Sequence, residues 1–191
     1  MVCIRKYITN ERQKLDVFSQ ANGAWAITNQ LLTTTFFRLS KKIAVYFPVH
    51  GEIDTFAIIK KIWEEDKMCY LPVVAIDTLS FHLYTQQSKL IKNKFNIPEP
   101  IPNEKTIILP HDLDLVVVPV IGFDEKCNRM GSGKGFYDRT FNFKKPHQPP
   151  FLIGIAYDFQ KMNFDLNPWD IPMDMIITEM ETYSLYPVGK F

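Results

Sequence analysis

Short apolar segments alternate with amphipathic ones along the chain, a pattern that predicts an α/β fold with a mainly parallel sheet flanked by helices. Residues 43–47 (IAVYF), 115–120 (LVVVPV) and 151–156 (FLIGIA) are continuous apolar runs, as expected for strands buried on both faces. The 191 residues are 46% hydrophobic and 23% charged, which is typical of a globular domain. We therefore predict a single three-layer domain over residues 1–191.

Apolar side chains recur at helical spacing in three segments and predict helices over residues 3–18, 21–38 and 54–66. In the second helix Trp25, Ile27 and Leu31 are expected on the buried face, and the β-branched threonines at 33–35 weaken its last turn. The first strand, residues 43–47, follows this helix and stops at Pro48.

Further strands are predicted over residues 69–75, 79–84, 115–120, 151–156 and 175–178, with a helix over residues 135–141. The polar, proline-rich stretch 85–112 is predicted as a helical turn followed by an extended excursion within the domain. Ligands of parallel sheets bind beyond the carboxyl ends of the strands. The loops after Phe47 and Val120 are therefore the candidate site.

Charge and hydropathy exclude several classes of protein. The formal net charge of +1 gives no overall field that would attract nucleic acid or an anionic membrane. The longest apolar stretch, residues 115–123, is far shorter than the ~20 residues that span a bilayer, and the N-terminal residues lack the apolar core of a signal peptide. We expect a cytoplasmic protein that binds neither nucleic acid nor membranes. The cysteines, Cys3, Cys69 and Cys127, lack metal-binding spacing and are predicted to be reduced thiols.

Residues 128–139 (NRMGSGKGFYDR) follow a predicted strand and open a helix. Their alternating glycines let the backbone approach a ligand, while Arg129 and Lys134 supply positive charge, so the segment is typical of an anion site. It is neither a Walker A loop nor a dinucleotide G-x-G-x-x-G loop. Glycine spacing alone fits a flexible surface loop equally well, but the added charges and aromatic residues favour ligand binding.

Four side chains near these loops each allow two interpretations. Phe136 and Tyr137 offer flat faces to a heteroaromatic ring, or pack in the core at the start of the helix. Asp138 suits Mg²⁺, or favours the first turn of the helix through the dipole. Glu52 could accept the amino and amide donors of a ligand, or help to begin the helix that follows; for Asp54 spacing favours the helix start.

The segment from residue 119 to residue 139 (PVIGFDEKCNRMGSGKGFYDR) resembles P-G-x-x-F-D-x-x-G-x-R-L-G-x-G-x-G-Y-Y-D-R, the hallmark of the 5-formyltetrahydrofolate cyclo-ligase family. Residues 46–55 (YFPVHGEIDT) resemble that family's Y-x-P-x-x-G-E-x-D-T segment. Weaker matches are Ile4-Arg5 in the first helix, residues 154–160 and residues 169–179. The resemblance thus spans nearly the whole chain.

The resemblance implies an ATP- and Mg²⁺-dependent enzyme that converts 5-formyltetrahydrofolate to 5,10-methenyltetrahydrofolate, with ADP and phosphate as the other products. It implies catalytic roles for Arg129 and Lys134, and Mg²⁺ ligation by Asp138 and Asp170. The ATP contacts it implies are Arg5, Arg129, Met130, Gly131, Ser132, Gly133, Lys134, Gly135, Phe136 and Tyr137. The implied folate contacts are Phe47, Glu52, Lys134 and Phe136.

Met1, Ser132 and Trp169 depart from the residues that are usual in the family. One alternative hypothesis is therefore a non-catalytic relative that binds folate or nucleotide. Another is an unrelated P-loop-like kinase, against which the absence of Ser or Thr after Lys134 argues. We expect a monomer or a weak homodimer.

Overall fold

The computed structural model describes residues 2–186, with side chains described from residue 4 onward. Met1 and the side chain of Cys3 therefore lie outside the described part. The helices are α1 (Val2–Lys14), α2 (Val17–Thr33), α3 (Thr35–Leu39), α4 (Phe56–Glu64) and α5 (Phe136–Thr140). The strands are β1 (Lys42–Ala44), β2 (Met68–Val74), β3 (Leu79–Leu83), β4 (Leu90–Lys92), β5 (Pro98–Pro100), β6 (Ile107–Ile108), β7 (Leu115–Pro119), β8 (Gly122–Phe123), β9 (Arg129–Met130), β10 (Phe151–Ile155), β11 (Met175–Ile177) and β12 (Thr182–Ser184).

Eight strands form the central sheet in the order β12-β11-β10-β7-β1-β2-β3-β6. The neighbours from β11 to β2 pair in parallel, whereas β12 at one edge and β3 with β6 at the other are antiparallel. Two short ribbons, β4 with β5 and β8 with β9, lie outside this sheet. The predicted α/β class with a mainly parallel sheet is confirmed, with antiparallel strands at the edges.

The side chains of β7 point alternately to the two faces of the sheet, and the core accordingly has two layers. Leu115 and Val117 pack with the buried faces of α2, α3 and α4, whereas Val116 and Val118 pack on the opposite face of the sheet with residues such as Phe123. All four of these valine and leucine side chains are essentially inaccessible to solvent. A strand covered on both faces reads as a continuous apolar run, which is why β7 could be predicted from the sequence.

The first two helices begin and end differently from the prediction. The chain breaks at residues 15–16, where Asp16 caps α2 by accepting a hydrogen bond from the backbone N–H of Ser19 at 2.8 Å. It breaks again at Thr34, whose side chain caps α3. The buried face of α2 includes Ile27 and Leu31 as predicted, but Trp25 is 70% exposed. The placement of Trp25 in the core was wrong because it lies out of phase with the buried residues 24, 27, 28 and 31.

The stretch 85–112 begins with a single hydrogen-bonded turn, in which the N–H of Ser88 donates to the carbonyl of Thr85 at 3.0 Å, but the part that follows is not a simple extended excursion. Instead, β4 and β5 form a hairpin whose tight turn is closed by the Asn93 side chain, which accepts hydrogen bonds from the N–H groups of Phe95 and Ile97. The chain then adds β6 to the edge of the sheet. Strands β6, β8 and β9 have two residues each and β12 has three, too few to show a periodic pattern. Within residues 2–186, no helix combines the length and apolar character needed to cross a membrane.

Candidate active site

A cavity of about 600 Å³ opens at the carboxyl ends of β1, β2 and β7. It is bordered by α1, by the loop after β1, by the β4–β5 hairpin and by the segment from β9 to α5. Every site residue predicted from the sequence lines it: Arg5, Phe47, Glu52, Arg129, Met130, Gly131, Ser132, Gly133, Lys134, Gly135, Phe136, Tyr137, Asp138 and Asp170. The two candidate loops therefore meet in one place, as the topology of a parallel sheet requires.

The glycine loop, residues 131–135, joins β9 to α5. Gly133 and Gly135 have φ values of +88° and +65°, a region that other residues rarely adopt. Arg5 of α1 donates from Nε to the carbonyl of Gly131 at 2.8 Å. On the other side Arg139 donates to the carbonyls of Lys134 and Asp77, both at 2.6 Å. The loop is therefore held in a fixed conformation by arginines on two sides.

Arg129 lies beneath the glycine loop, with a side chain that is only 4% exposed. Its Nη2 atom donates to both carboxylate oxygens of Asp138 at 3.0 and 3.1 Å, while its Nε atom is buried and finds no hydrogen-bond partner among the described residues. A Cβ atom on Gly131 would come within 2.5 Å of the Arg129 Nη1 atom. Gly131 is thus required because the guanidinium group passes directly against the backbone there.

Asp138 and Asp170 lie close together, since the backbone N–H of Ile171 donates to Asp138 at 3.3 Å. Asp170 accepts from the backbone N–H and the side chain of Asn167. Within residues 2–186, no cluster of three or more His, Cys, Asp or Glu side chains is arranged for a metal ion. Two carboxylates near the glycine loop nevertheless have the chemistry that suits Mg²⁺, because that ion takes few protein ligands and completes its shell with phosphate and water.

An aromatic wall faces the glycine loop. Phe95, in the turn of the β4–β5 hairpin, packs edge-on against Phe136 with ring centroids 6.2 Å apart, and the Lys134 ammonium lies 5.8 Å from the centre of the Phe95 ring. On the opposite side Phe47 contacts Phe56 at 5.2 Å. Phe95 was missed by the sequence analysis, because a proline-rich stretch gives no sign that it folds over the pocket.

Glu52 lies at the side of the cavity with a largely buried side chain, 14% exposed. Its Oε2 atom accepts a hydrogen bond from the backbone N–H of Val49 at 3.1 Å, and Arg12 lies 4.0 Å from its Oε1 atom. Burial raises the pKa of Glu52 despite the nearby guanidinium. Helix α4 begins only at Phe56, whose N–H is capped by Asp54 at 2.8 Å. Asp54 therefore lies at the start of helix α4, as predicted. Glu52 makes no contact of this kind, and its carboxylate lies in the cavity instead.

Phe136 and Tyr137 were expected either to face a ligand or to pack in the core. In the structure each of them lines the cavity and also packs against the core. Burial strongly raises the pKa of Tyr137, so its hydroxyl stays protonated and can donate a hydrogen bond. Fold and site together define an α/β protein in which a glycine-rich, basic loop borders an aromatic-lined cavity that also contains a carboxylate.

Comparison with known proteins assigns the chain to a protein family. The profile of the 5-formyltetrahydrofolate cyclo-ligase family matches residues 2–179. The chain is 35% identical over 175 residues to the 5-formyltetrahydrofolate cyclo-ligase of Haemophilus influenzae, covering 89% of this chain and 92% of that protein. It is 32% identical over 184 residues to the Escherichia coli enzyme of the same name, covering 94% and 97%. The chain therefore belongs to the 5-formyltetrahydrofolate cyclo-ligase family and is an enzyme.

Solved structures agree with this assignment. The 5,10-methenyltetrahydrofolate synthetase of Aquifex aeolicus superimposes with a TM-score of 0.82 at 28% identity, covering 98% of this chain and 94% of that chain. The synthetase of Mycoplasma pneumoniae superimposes with a TM-score of 0.72 at 27% identity, covering 93% and 97%. The hypothesis of an unrelated P-loop-like kinase is therefore wrong, and the prediction of a cyclo-ligase enzyme is confirmed.

Proposed function

We propose that the protein converts 5-formyltetrahydrofolate to 5,10-methenyltetrahydrofolate at the expense of ATP, with Mg²⁺, and releases ADP and phosphate. The observation that carries the proposal is that the glycine loop and the Phe47–Glu52 side of the site line one cavity of about 600 Å³. A cavity of this size suits two ligands of moderate size that must react with each other. Family membership supports the same reaction.

The triphosphate of ATP would lie against the glycine loop. Lys134 makes no salt bridge or hydrogen bond through its ammonium group to any described residue, so its charge is free to meet a phosphate. The exposed backbone of Ser132 and Gly133 allows close approach of phosphate oxygens. Arg5 stands at the same rim through its contact with Gly131. These groups would offset the negative charge that develops during phosphoryl transfer.

Asp138 and Asp170 would hold Mg²⁺ together with phosphate oxygens. When bound, this ion would neutralise phosphate charge and fix the geometry of the transferred group. Asp138 would then serve two cations at once, since its carboxylate also pairs with Arg129. Arg129 would in this way keep the metal-binding carboxylate in place from beneath the loop.

The pterin ring of the folate would lie between Phe47, Phe95 and Phe136. Glu52 would accept the amino and amide donors at the edge of the ring, because its Oε1 atom accepts no hydrogen bond from any described residue. An aromatic slot that ends in a carboxylate suits a flat ring that carries donors on one edge. The substrate would then present its formyl group toward Lys134.

The reaction requires activation of a formyl oxygen that is otherwise a poor leaving group. The formyl oxygen takes the γ-phosphoryl group, and ADP leaves. Nitrogen 10 of the folate then attacks the formyl carbon, the carbon–oxygen bond breaks with release of phosphate, and the nitrogen loses its proton. Such a sequence needs positioning and charge neutralisation rather than a nucleophilic side chain. Lys134 and Arg129 would supply the charge.

A spectroscopic assay tests the proposal. Addition of 5-formyltetrahydrofolate to the protein with ATP and Mg²⁺ should produce a rise in near-ultraviolet absorbance, and ADP should appear in equal amount. Omission of either ATP or the folate should abolish both signals. Folate-independent release of ADP, or no absorbance change at all, would contradict the proposed reaction. A cytoplasmic location and a monomeric or weakly dimeric state remain part of the proposal.

A further inference from the structure

Arg12 in helix α1 is a buried charge that the proposed reaction does not use directly. Its side chain is 2% exposed, and it lines the same cavity as Glu52. The Nη1 atom lies 4.0 Å from the Glu52 Oε1 atom, which is too far for a hydrogen bond but close enough for strong attraction in a buried setting. A buried guanidinium needs a counter-charge, and Glu52 is the carboxylate beside it.

The fold holds Arg12 in place from two directions. The Nη1 atom donates to the carbonyl of Val120, just beyond the end of β7, at 3.4 Å. The same carbonyl accepts from Gln160 at 2.7 Å, which anchors the end of the strand. Gly51, with a φ of +73°, packs so tightly on α1 that a Cβ atom there would lie 3.1 Å from the Arg12 backbone. Arg12 therefore joins α1 to the loop that carries Glu52.

This arrangement leaves one carboxylate oxygen of Glu52 available to a ligand. The backbone N–H of Val49 donates to the Oε2 atom, whereas Arg12 is too far from the Oε1 atom to donate a hydrogen bond to it. A closer, bidentate arginine would neutralise Glu52 but would also take up the oxygens that a ligand needs. Arg12 instead supplies charge at a distance, so that Glu52 can remain a charged acceptor in a buried place.

We propose that Arg12 is a positioning residue for the folate site, which holds the Glu52 carboxylate ionised and in place to accept the donor edge of the pterin. The inference rests on the proposed function, because Glu52 is taken to contact the folate. Recognition of the pterin ring would then depend on a pair of residues, Arg12 on helix α1 and Glu52 in the loop after β1. Helix α1 then serves both halves of the site, through Arg5 at the glycine loop and Arg12 at Glu52.

The pH dependence of folate binding follows from the groups that face Glu52. Arg12 faces it from α1, Tyr46 from the chain after β1 and Tyr137 from α5, and His50 precedes it in its own loop. Burial raises the pKa of both tyrosines, and an arginine stays charged, so none of these three changes charge between acid and neutral pH. Comparison with a Glu52→Gln variant separates Glu52 from His50.

Calorimetric titration with 5-formyltetrahydrofolate in the absence of ATP tests the pair. Arg12→Gln should weaken binding about tenfold or more, the size expected for hydrogen bonds to a charged acceptor, and Arg12→Lys should restore most of the affinity. In the Glu52→Gln background Arg12→Gln should cause little further loss. Lys14→Gln, which removes a 70% exposed cation from the end of the same helix, is the matched control and should bind like the unaltered protein.

Kinetics and pH profiles distinguish a positioning role from a merely structural one. Arg12→Gln should raise the KM for the folate while the KM for ATP changes little. Folate affinity should fall at acid pH as Glu52 becomes protonated, and we call this fall the acid limb. In Arg12→Gln the acid limb should move to higher pH, because loss of the guanidinium raises the pKa of Glu52 further. In Glu52→Gln it should disappear. If Arg12→Gln does not fold, as judged by circular dichroism, Arg12→Met fills the same volume without charge and replaces it.

Two kinds of negative result have different meanings. The role of Arg12 would be overturned, while the reaction stands, by either of two results. One is a folded Arg12 variant whose folate affinity and pH dependence of binding are both unchanged. The other is an Arg12 substitution that weakens folate binding equally with Glu52 and with Gln at position 52. Absence of folate binding and turnover in the unaltered protein would overturn the proposed function and this inference together.

Discussion

Lys134 differs from the neighbouring arginines because no ion pair or hydrogen bond to a described residue uses its charge. Arg5 and Arg139 donate to backbone carbonyls, and Arg129 pairs with Asp138, whereas the only described contact of the Lys134 ammonium is with the Phe95 ring. A cation without a structural partner can be removed without unfolding the protein. It is therefore the most suitable position at which to test whether the glycine loop binds phosphate.

Lys134→Ala is expected to lower the turnover of 5-formyltetrahydrofolate on the order of a hundredfold to a thousandfold, because one charge-stabilising donor is lost. The melting temperature should stay unchanged. The rate of the near-ultraviolet absorbance rise measures the first quantity and circular dichroism the second. Lys126→Ala, which removes an exposed lysine from the turn between β8 and β9, is the control. Equal turnover in the two variants would refute the role of Lys134.

Gly131→Ala should damage the site through Arg129 rather than through the loop backbone. The new methyl group would lie 2.5 Å from the Arg129 Nη1 atom, so the guanidinium must move away from Asp138. We expect a loss of about 1–3 kcal/mol in the free energy of unfolding, typical of overpacking, and a higher Mg²⁺ requirement. Denaturant titration and a Mg²⁺ dependence of the rate measure these changes. Lys126→Ala, at an exposed residue outside the cavity, should leave both quantities unaltered.

The residues of the site could be predicted individually only where the chemistry fixes the residue type. The glycines and Lys134 belong to a motif whose residue types and spacing are typical of an anion site, and all of them line the cavity. The interpretation of Glu52 could not be decided, because an acid before a helix looks the same whether it caps the helix or faces a ligand. In the structure Glu52 lies in the cavity, 4.0 Å from Arg12, which is 40 residues earlier in the chain; local spacing does not contain this tertiary arrangement.

Among the secondary-structure elements, the β4–β5 hairpin has the clearest functional consequence. It is joined to the sheet through Glu99, which is buried and accepts hydrogen bonds from the backbone N–H of Val74 and from Asn93. This anchor places Phe95 over Phe136 and Lys134. The hairpin therefore forms a wall of the cavity, although the sequence analysis gave it no role.

Phe95→Ala is expected to raise the KM for 5-formyltetrahydrofolate about tenfold, since stacking of a ring on an aromatic side chain contributes about 1 kcal/mol or more. The KM for ATP should change much less. Initial rates at varied concentrations of each substrate measure both constants. Ile91→Ala, which truncates an exposed side chain on the same hairpin, is the control. A parallel rise of both KM values in Phe95→Ala would indicate a collapsed hairpin instead of a lost contact.

The elements differ in how far the sequence predicts them. Strands β1, β7 and β10 were predicted within three residues at each end, because burial on both faces leaves an apolar run with few alternatives. The break between α1 and α2 was predicted at residues 19–20 and lies at residues 15–16, whereas the break at Thr34 was missed. A polar residue between two amphipathic stretches fits a continuous helix as well as a cap. Hairpins such as β4–β5 depend on contacts with distant residues, which local patterns do not contain.

At the scale of the whole molecule the site is assembled from segments that are far apart in the sequence. Arg5, Glu52, Phe95, Lys134 and Asp170 line one cavity because four neighbouring parallel pairings bring the carboxyl ends of the strands to one edge of the sheet. That edge could be predicted from the fold class alone. The hydrogen bonds that hold the cavity together, from Arg5 to the glycine loop and from Arg12 to Val120, could not.

The buried thiols give a test of the integrity of the whole fold. Cys69 and Cys127 are free, and they are at most 1% exposed. Burial raises the pKa of each to about 12, and only the thiolate reacts with thiol reagents. In a Cys3→Ser variant, we expect neither thiol to be labelled at pH 8 in the native protein, and two to be labelled in denaturant. Native labelling at the rate of a free thiol would contradict the packing of both core layers.

The same pKa values predict how stability depends on alkaline pH. Unfolded thiols lose their protons near their ordinary pKa of 9.0, whereas the folded ones keep them until about pH 12. Between these limits the folded state binds more protons than the unfolded state, so the free energy of unfolding must fall as pH rises above 9 and is unaffected below it. Denaturation midpoints measured from pH 7.5 to 10 should therefore decline. The decline should be smaller in a Cys127→Ala variant, because one of the two thiols no longer contributes, and an identical slope in that variant would assign the effect to the buried tyrosines instead.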